Sequence, residues 1–89
     1  MYRIEVAPTA RRDLEKLKGR MARSDLERMQ IAMGCLAGAP RLEDASPVEG
    51  LGGAYRVGVG DYWVVYDIYD GEGLVLILRV ARRNEGILV

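Results

Sequence analysis

Eighty-nine residues provide for one modest hydrophobic core and no second one, so the chain reads as a single domain over residues 1–89. Apolar residues at 49% exclude a disordered chain, charged residues at 29% leave an ordinary polar surface, and no apolar run approaches the roughly 18 residues of a membrane span. Thirteen basic and thirteen acidic side chains cancel, which counts against a protein held to nucleic acid by bulk charge alone.

There is no histidine and only one cysteine, Cys35. An internal disulfide, a His/Cys metal site and any mechanism with a histidine base are therefore excluded, and neither metal nor cofactor is expected. The N-terminal MYRIEVAP mixes acid and base and is no signal peptide, so a reducing cytoplasmic home is the expectation. The basic set is lopsided, with arginine far ahead of lysine. Arginine suits bidentate phosphate contact and stacking, although surface arginines paired with acids give the same composition.

Residues 1–6 alternate, with Tyr2, Ile4 and Val6 opposite Arg3 and Glu5, as in a half-buried strand. Pro8 suits the first turn of a helix, Ala10, Leu14 and Leu17 recur at helical spacing, and Gly19 is a C-terminal stop. A helix over residues 8–18 follows. Arg11, Arg12 and Lys16 form a basic strip on it, which suits contact with an RNA backbone or, more ordinarily, a solvated face. Ser24-Asp25-Leu26-Glu27 has the capping-box pattern, with Met21 and Ala22 one turn ahead of it, and Leu26, Met29, Met33 and Leu36 give a second apolar stripe flanked by Ala32. Within that helix, Gly34 marks a place for close packing, Cys35 reads as a small buried hydrophobe, and Gly38 and Pro40 end the element.

Residues 41–53, with Pro47, Gly50, Gly52 and Gly53, read as a loop. Gly60-Asp61 then sits between two valine- and tyrosine-rich runs, residues 54–59 and 62–69. Glycine first in a two-residue loop suits a type II′ turn, which pairs Val59 with Tyr62, Gly58 with Trp63, Val57 with Val64 and Arg56 with Val65. Arg56, Gly58, Trp63 and Val65 then share one face, away from Tyr62 and Tyr66. Asp70-Gly71-Glu72-Gly73 makes a second turn, and residues 74–81 form a nearly continuous apolar strand suited to a central position. In that strand Arg79 alternates away from Leu78 and Val80 and is assigned to structure or partner contact. Residues 82–89 are a short tail. The order βααβββ predicts an α+β fold in two layers, a two-helix hairpin on a mainly antiparallel four-stranded sheet.

This order, with Pro40-Arg41 closing the second helix and Leu51, Gly53, Tyr55, Arg56, Gly60, Asp61, Tyr62 and Tyr66 in the pattern L-x-G-x-Y-R-V-x-V-G-D-Y-x-V-V-Y, resembles the RelE/ParE toxin superfamily of type II toxin–antitoxin modules. The run from Leu78 to Arg83 is similar to the family's final strand and its basic element. The resemblance covers essentially the whole chain and points to the RelE-like branch. It implies a metal-independent, ribosome-dependent mRNA endonuclease (an mRNA interferase inhibiting translation) with a cognate antitoxin, the ribosome and mRNA as partners. Its ParE-like branch implies DNA gyrase as the target instead. A third reading is a degenerate toxin fold acting only as an antitoxin-binding or co-repressor partner.

Carried over by position, the resemblance assigns Arg56 to a basic position of the active enzymes and Arg83, with Arg82 beside it, to the phosphate clamp. Gly58 stands where a second basic residue is common, Trp63 where many members have arginine, and Val89 near a C-terminal tyrosine. Trp63 has two readings: a platform for an RNA base, or an apolar cover over Gly58 directly opposite.

Overall fold

The computed structural model describes residues 1–50 and 52–85. Strand β1 (Arg3–Val6) leads into helix α1 (Pro8–Leu17) and helix α2 (Arg23–Gly38); strands β2 (Ser46–Pro47), β3 (Tyr55–Val59), β4 (Tyr62–Tyr69) and β5 (Leu74–Arg82) follow. Single 3₁₀ turns cover Asp70–Glu72 and Arg83–Glu85. The sheet order is β1-β5-β4-β3-β2. Among the described strands only the β1–β5 pair is parallel, from Arg3 against Leu74 to Val6 against Ile77, because the two helices form the crossover between the first strand and the rest. None of the described helices is long and apolar enough to cross a membrane.

The core lies between helices and sheet. Ala10 and Leu17 of α1 and Met29 and Leu36 of α2 pack on Val57, Val59, Tyr62, Val64, Tyr66, Val75, Ile77 and Val80. These sheet residues alternate along their strands, so one face of each strand is committed to the helices. A smaller cluster of Val48, Ala54 and Val65, with Leu78 against it, covers part of the outer face. The β4–β5 register skips Leu78, passing from Val65–Arg79 to Tyr66–Ile77. That bulge breaks the strict alternation expected for Leu78 and Arg79 and lets Leu78 join Val65.

Several expectations are corrected. The sheet has five strands, since Ser46 and Pro47 inside the expected loop pair with Arg56 and Tyr55. Val48 just after them is buried and donates its N–H to the Ala54 carbonyl at 2.9 Å, which anchors the segment; proline is tolerated there because β2 is an edge. The capping box does not form: α2 begins at Arg23, Ala22 is its N-cap, and no side chain caps it. Asp25 is instead buried against the β3–β4 turn. Cys35 is exposed, and a Cβ on Gly34 would meet nothing within 4 Å. Helical phase explains both, since Met29 and Leu36 take the buried face and turn residues 34 and 35 outward. Leu26 of the predicted stripe is likewise half exposed.

Candidate functional site

The β3–β4 hairpin has the predicted register, with Arg56 opposite Val65, Gly58 opposite Trp63 and Val59 opposite Tyr62. Gly60 has φ +59° and, among the described residues, none other than glycine has positive φ, which is the pattern of a II′ turn and excludes I′. On its other side Trp63 pairs with Ala81 of β5. The indole is therefore flanked by the two smallest side chains available, on both neighbouring strands, and this leaves a trough on the outer face of the sheet.

Two guanidinium groups fill that trough. The guanidinium carbon of Arg56 lies 4.2 Å and that of Arg83 4.5 Å from the centre of the Trp63 ring, close enough for strong attraction to its π-electrons. Arg83 arrives from the chain that leaves β5, held by its own N–H donating to the Asp61 carbonyl at 2.9 Å. Its guanidinium lies directly on the backbone of Gly58, where any Cβ would collide with it. The space over Gly58 thus belongs to Arg83, and the reading of Trp63 as the cover of Gly58 is corrected. A planar guanidinium can rest flat on bare backbone and reach the indole at once, which the broader ring cannot do.

What sets these two arginines apart is their shared place on the Trp63 ring. Arg3, Arg28, Arg41 and Arg79 each pair with a carboxylate. Among the described residues neither Arg56 nor Arg83 does. Two positive charges thus lie on one half-exposed aromatic ring, where an anion that contacts either guanidinium is favoured.

The other predicted residues go elsewhere. Arg82 is the register partner of Tyr62, whose ring is buried under the helices. It lines a separate basic cleft with Lys16, Arg20, Arg79 and Asp13. Arg11 borders an apolar cleft with Leu14, Met21 and Leu26, and Arg12 is exposed. The strip Arg11, Arg12 and Lys16 is therefore split between sides of α1 and does not join the Trp63 trough. Arg79 is structural: Asp13 accepts its Nε at 2.8 Å. Tyr66 is unsuited to proton transfer at neutral pH. Burial, then the charges of Tyr55 and Asp44, push its hydroxyl up to about 12, and it donates to the Pro40 carbonyl at 2.7 Å. Leu51 of the motif and Val89 lie outside the described residues. Sequence reasoning missed the contact between Gly58 and Arg83; the local signal was a tryptophan whose cross-strand partner is glycine.

Residues 4–86 match the family described as ParE toxin of type II toxin–antitoxin system, parDE. The chain is 38% identical over 86 residues to Toxin RelE of Mycobacterium tuberculosis, covering 93% of this chain and 82% of that protein. The chain belongs to the RelE/ParE toxin superfamily of type II toxin–antitoxin systems. Its fold agrees with the toxin–antitoxin complex RelBE2 from M. tuberculosis at a TM-score of 0.74 and 35% identity, over 92% of this chain and 98% of that one. The fold alone is shared with a metal-bound toxin from Helicobacter pylori, at a TM-score of 0.79 and 23% identity, over 98% and 100% of the two chains. Within this RelE/ParE toxin, Arg56 and Arg83 come together over Trp63, while Arg82 turns to the opposite side of the sheet.

Proposed function

We propose that this toxin acts on RNA as a metal-independent, ribosome-dependent mRNA endonuclease, with Arg56 and Arg83 binding the scissile phosphate. The observation that carries this reading is the pair of guanidiniums without carboxylate partners among the described residues, held on an outward-facing aromatic ring. In such a cleavage the substrate's 2′-oxygen attacks the adjacent phosphorus, the bond to the 5′-oxygen breaks, and the 2′-proton is lost while the leaving oxygen gains one. Negative charge accumulates on the phosphoryl oxygens in between. Fixed guanidinium donors stabilise that charge more than they stabilise the starting diester. Trp63 supplies a stacking surface for an unpaired base, the usual mode of single-strand recognition. The two charged groups of Arg82 and Lys16 lie in another cleft and serve at most as distant contacts to the nucleic-acid backbone. A cognate antitoxin completes the reading, because the mycobacterial relative of known structure was solved as a toxin–antitoxin complex.

The test is in-vitro translation with the purified toxin, followed by primer extension on the mRNA. Ribosome-dependent cuts are expected, and Arg83→Ala or Arg56→Ala should each reduce the cleavage rate roughly 10²-fold, the usual loss when one donor to a developing oxyanion is removed. Intact mRNA from folded protein would overturn the reading. One observation favours a second: the matched family is described as the ParE toxin, so a DNA gyrase supercoiling assay follows a negative result. Silence in both assays leaves a partner-binding protein.

A further inference from the structure

The indole face that a nucleobase would need is already in use. Arg83 reaches it only because residue 58 has no side chain: the Nη2, Cζ and Nε atoms of Arg83 crowd the place of a Gly58 Cβ. Ala81 on the other flank adds little side-chain bulk beside the ring. Arg56 occupies the same ring at a similar distance. The ring attracts each cation, but both carry the same charge and compete for the same π-electrons.

We propose that Gly58 is a positioning residue whose bare backbone seats Arg83 on Trp63 in the unliganded toxin, and that a nucleobase takes this seat on binding and sends the guanidinium to the neighbouring phosphate. The ligand class is a single-stranded nucleotide, base and phosphate together. The inference rests on the RNA-directed reading above and adds a coupling to it. A base without a phosphate must displace a guanidinium that then gains nothing. A phosphate without a base meets an Arg83 guanidinium still held on the ring and gains only part of that contact. The two halves of a nucleotide therefore bind cooperatively, each paying less in the presence of the other.

Trp63 is the only tryptophan, so its fluorescence reports on the seat directly. The 89-residue chain is titrated with adenosine, adenosine 3′-phosphate and inorganic phosphate, as wild type, Arg83→Ala and Gly58→Ala, with far-ultraviolet circular dichroism as the check on folding. Wild type is expected to bind the nucleotide roughly ten-fold or more tighter than the nucleoside, the size of one charge-assisted contact. In Arg83→Ala that ratio should fall several-fold, with the nucleoside bound at least as well as by wild type because its platform is uncovered. Gly58→Ala should shift the emission of the unliganded protein in the same direction as Arg83→Ala and lower the ratio too. A role for Gly58 in strand stability alone would leave the ratio unchanged. An unchanged ratio in both variants, or weaker nucleoside binding by Arg83→Ala, overturns the proposal. Cleavage with an unchanged ratio sinks this inference and leaves the endonuclease reading standing; the expected ratios with intact mRNA do the reverse.

Discussion

At the scale of single residues, Gly60 answers two demands at once. Its φ of +59° is a conformation that an L side chain adopts at a penalty of about 1–2 kcal/mol. A Cβ there would also sit 2.5 Å from Oδ1 of Asp25, a carboxylate only 7% exposed. Gly60→Ala is therefore expected to lower unfolding stability by about 1–3 kcal/mol, seen as a lower urea midpoint with unchanged slope. An unshifted midpoint would mean that Asp25 yields without penalty and that the turn tolerates another type. The turn requirement was legible in Gly60-Asp61 itself. The carboxylate was not, because Asp25 reaches the hairpin from a helix remote in sequence, and its local pattern suggested a capping box.

At the scale of elements, α1 finishes the work of a strand. β1 stops pairing at Val6–Ile77, yet β5 continues to Arg82. Its exposed edge is taken up in turn by the Ala7 N–H on the Ile77 carbonyl at 2.8 Å, the Thr9 hydroxyl on the Leu78 carbonyl at 2.7 Å, and Asp13, whose Oδ2 accepts the Val80 N–H at 2.9 Å. Side chains of a helix thus satisfy backbone groups that a longer β1 would have paired. Asp13 also accepts both Nε and Nη2 of Arg79. Asp13→Ala leaves the Val80 N–H without its acceptor and should cost about 1–3 kcal/mol, with faster amide exchange at Val80. Asp13→Asn keeps one acceptor oxygen and should recover part of the loss. Equal exchange at Val80 in wild type and Asp13→Ala would show that the contact contributes nothing. The assignment of Arg79 to structure was readable from strand position, whereas its partner on α1 was not.

At the scale of the whole molecule, one carboxylate ties three distant segments. Asp70, at the β4–β5 turn, accepts Arg41 from the chain after α2 through two bonds of 3.1 and 2.8 Å, and the Tyr2 hydroxyl at 2.6 Å. Arg41 first and Tyr2 second hold its carboxyl down at about 2. Burial would raise Asp13, but the bonds from Arg79 and Val80 outweigh it and leave that carboxyl low as well. Groups with depressed native pKa favour the folded state once the unfolded carboxylate, near about 4, is ionised. Their contribution is fully present above that pH and is lost as pH falls toward the native value. Thermal melts should show a midpoint independent of these groups near neutral pH that drops between about pH 4 and 2. Asp70→Asn should flatten part of that drop. A wild-type acid limb unchanged by Asp70→Asn would remove Asp70 from the account.

Periodicity and turn chemistry in the sequence were sufficient for the elements: the βααβββ order, the hairpin register to the residue, and the face shared by Arg56, Gly58 and Trp63. These are local properties, set by side-chain alternation and by the one glycine a II′ turn needs. The motifs also carried the family, which the relatives then showed. Tertiary structure decided everything that depends on two remote segments meeting. It paired Ser46 and Pro47 with β3, turned Cys35 outward, separated Arg82 from Arg83 across the sheet, and laid Arg83 on Gly58. Arg82 ends β5 opposite Tyr62, whereas Arg83 opens the 3₁₀ turn beyond the strand and is held by the Asp61 carbonyl, so only the folded chain shows which of them meets Trp63.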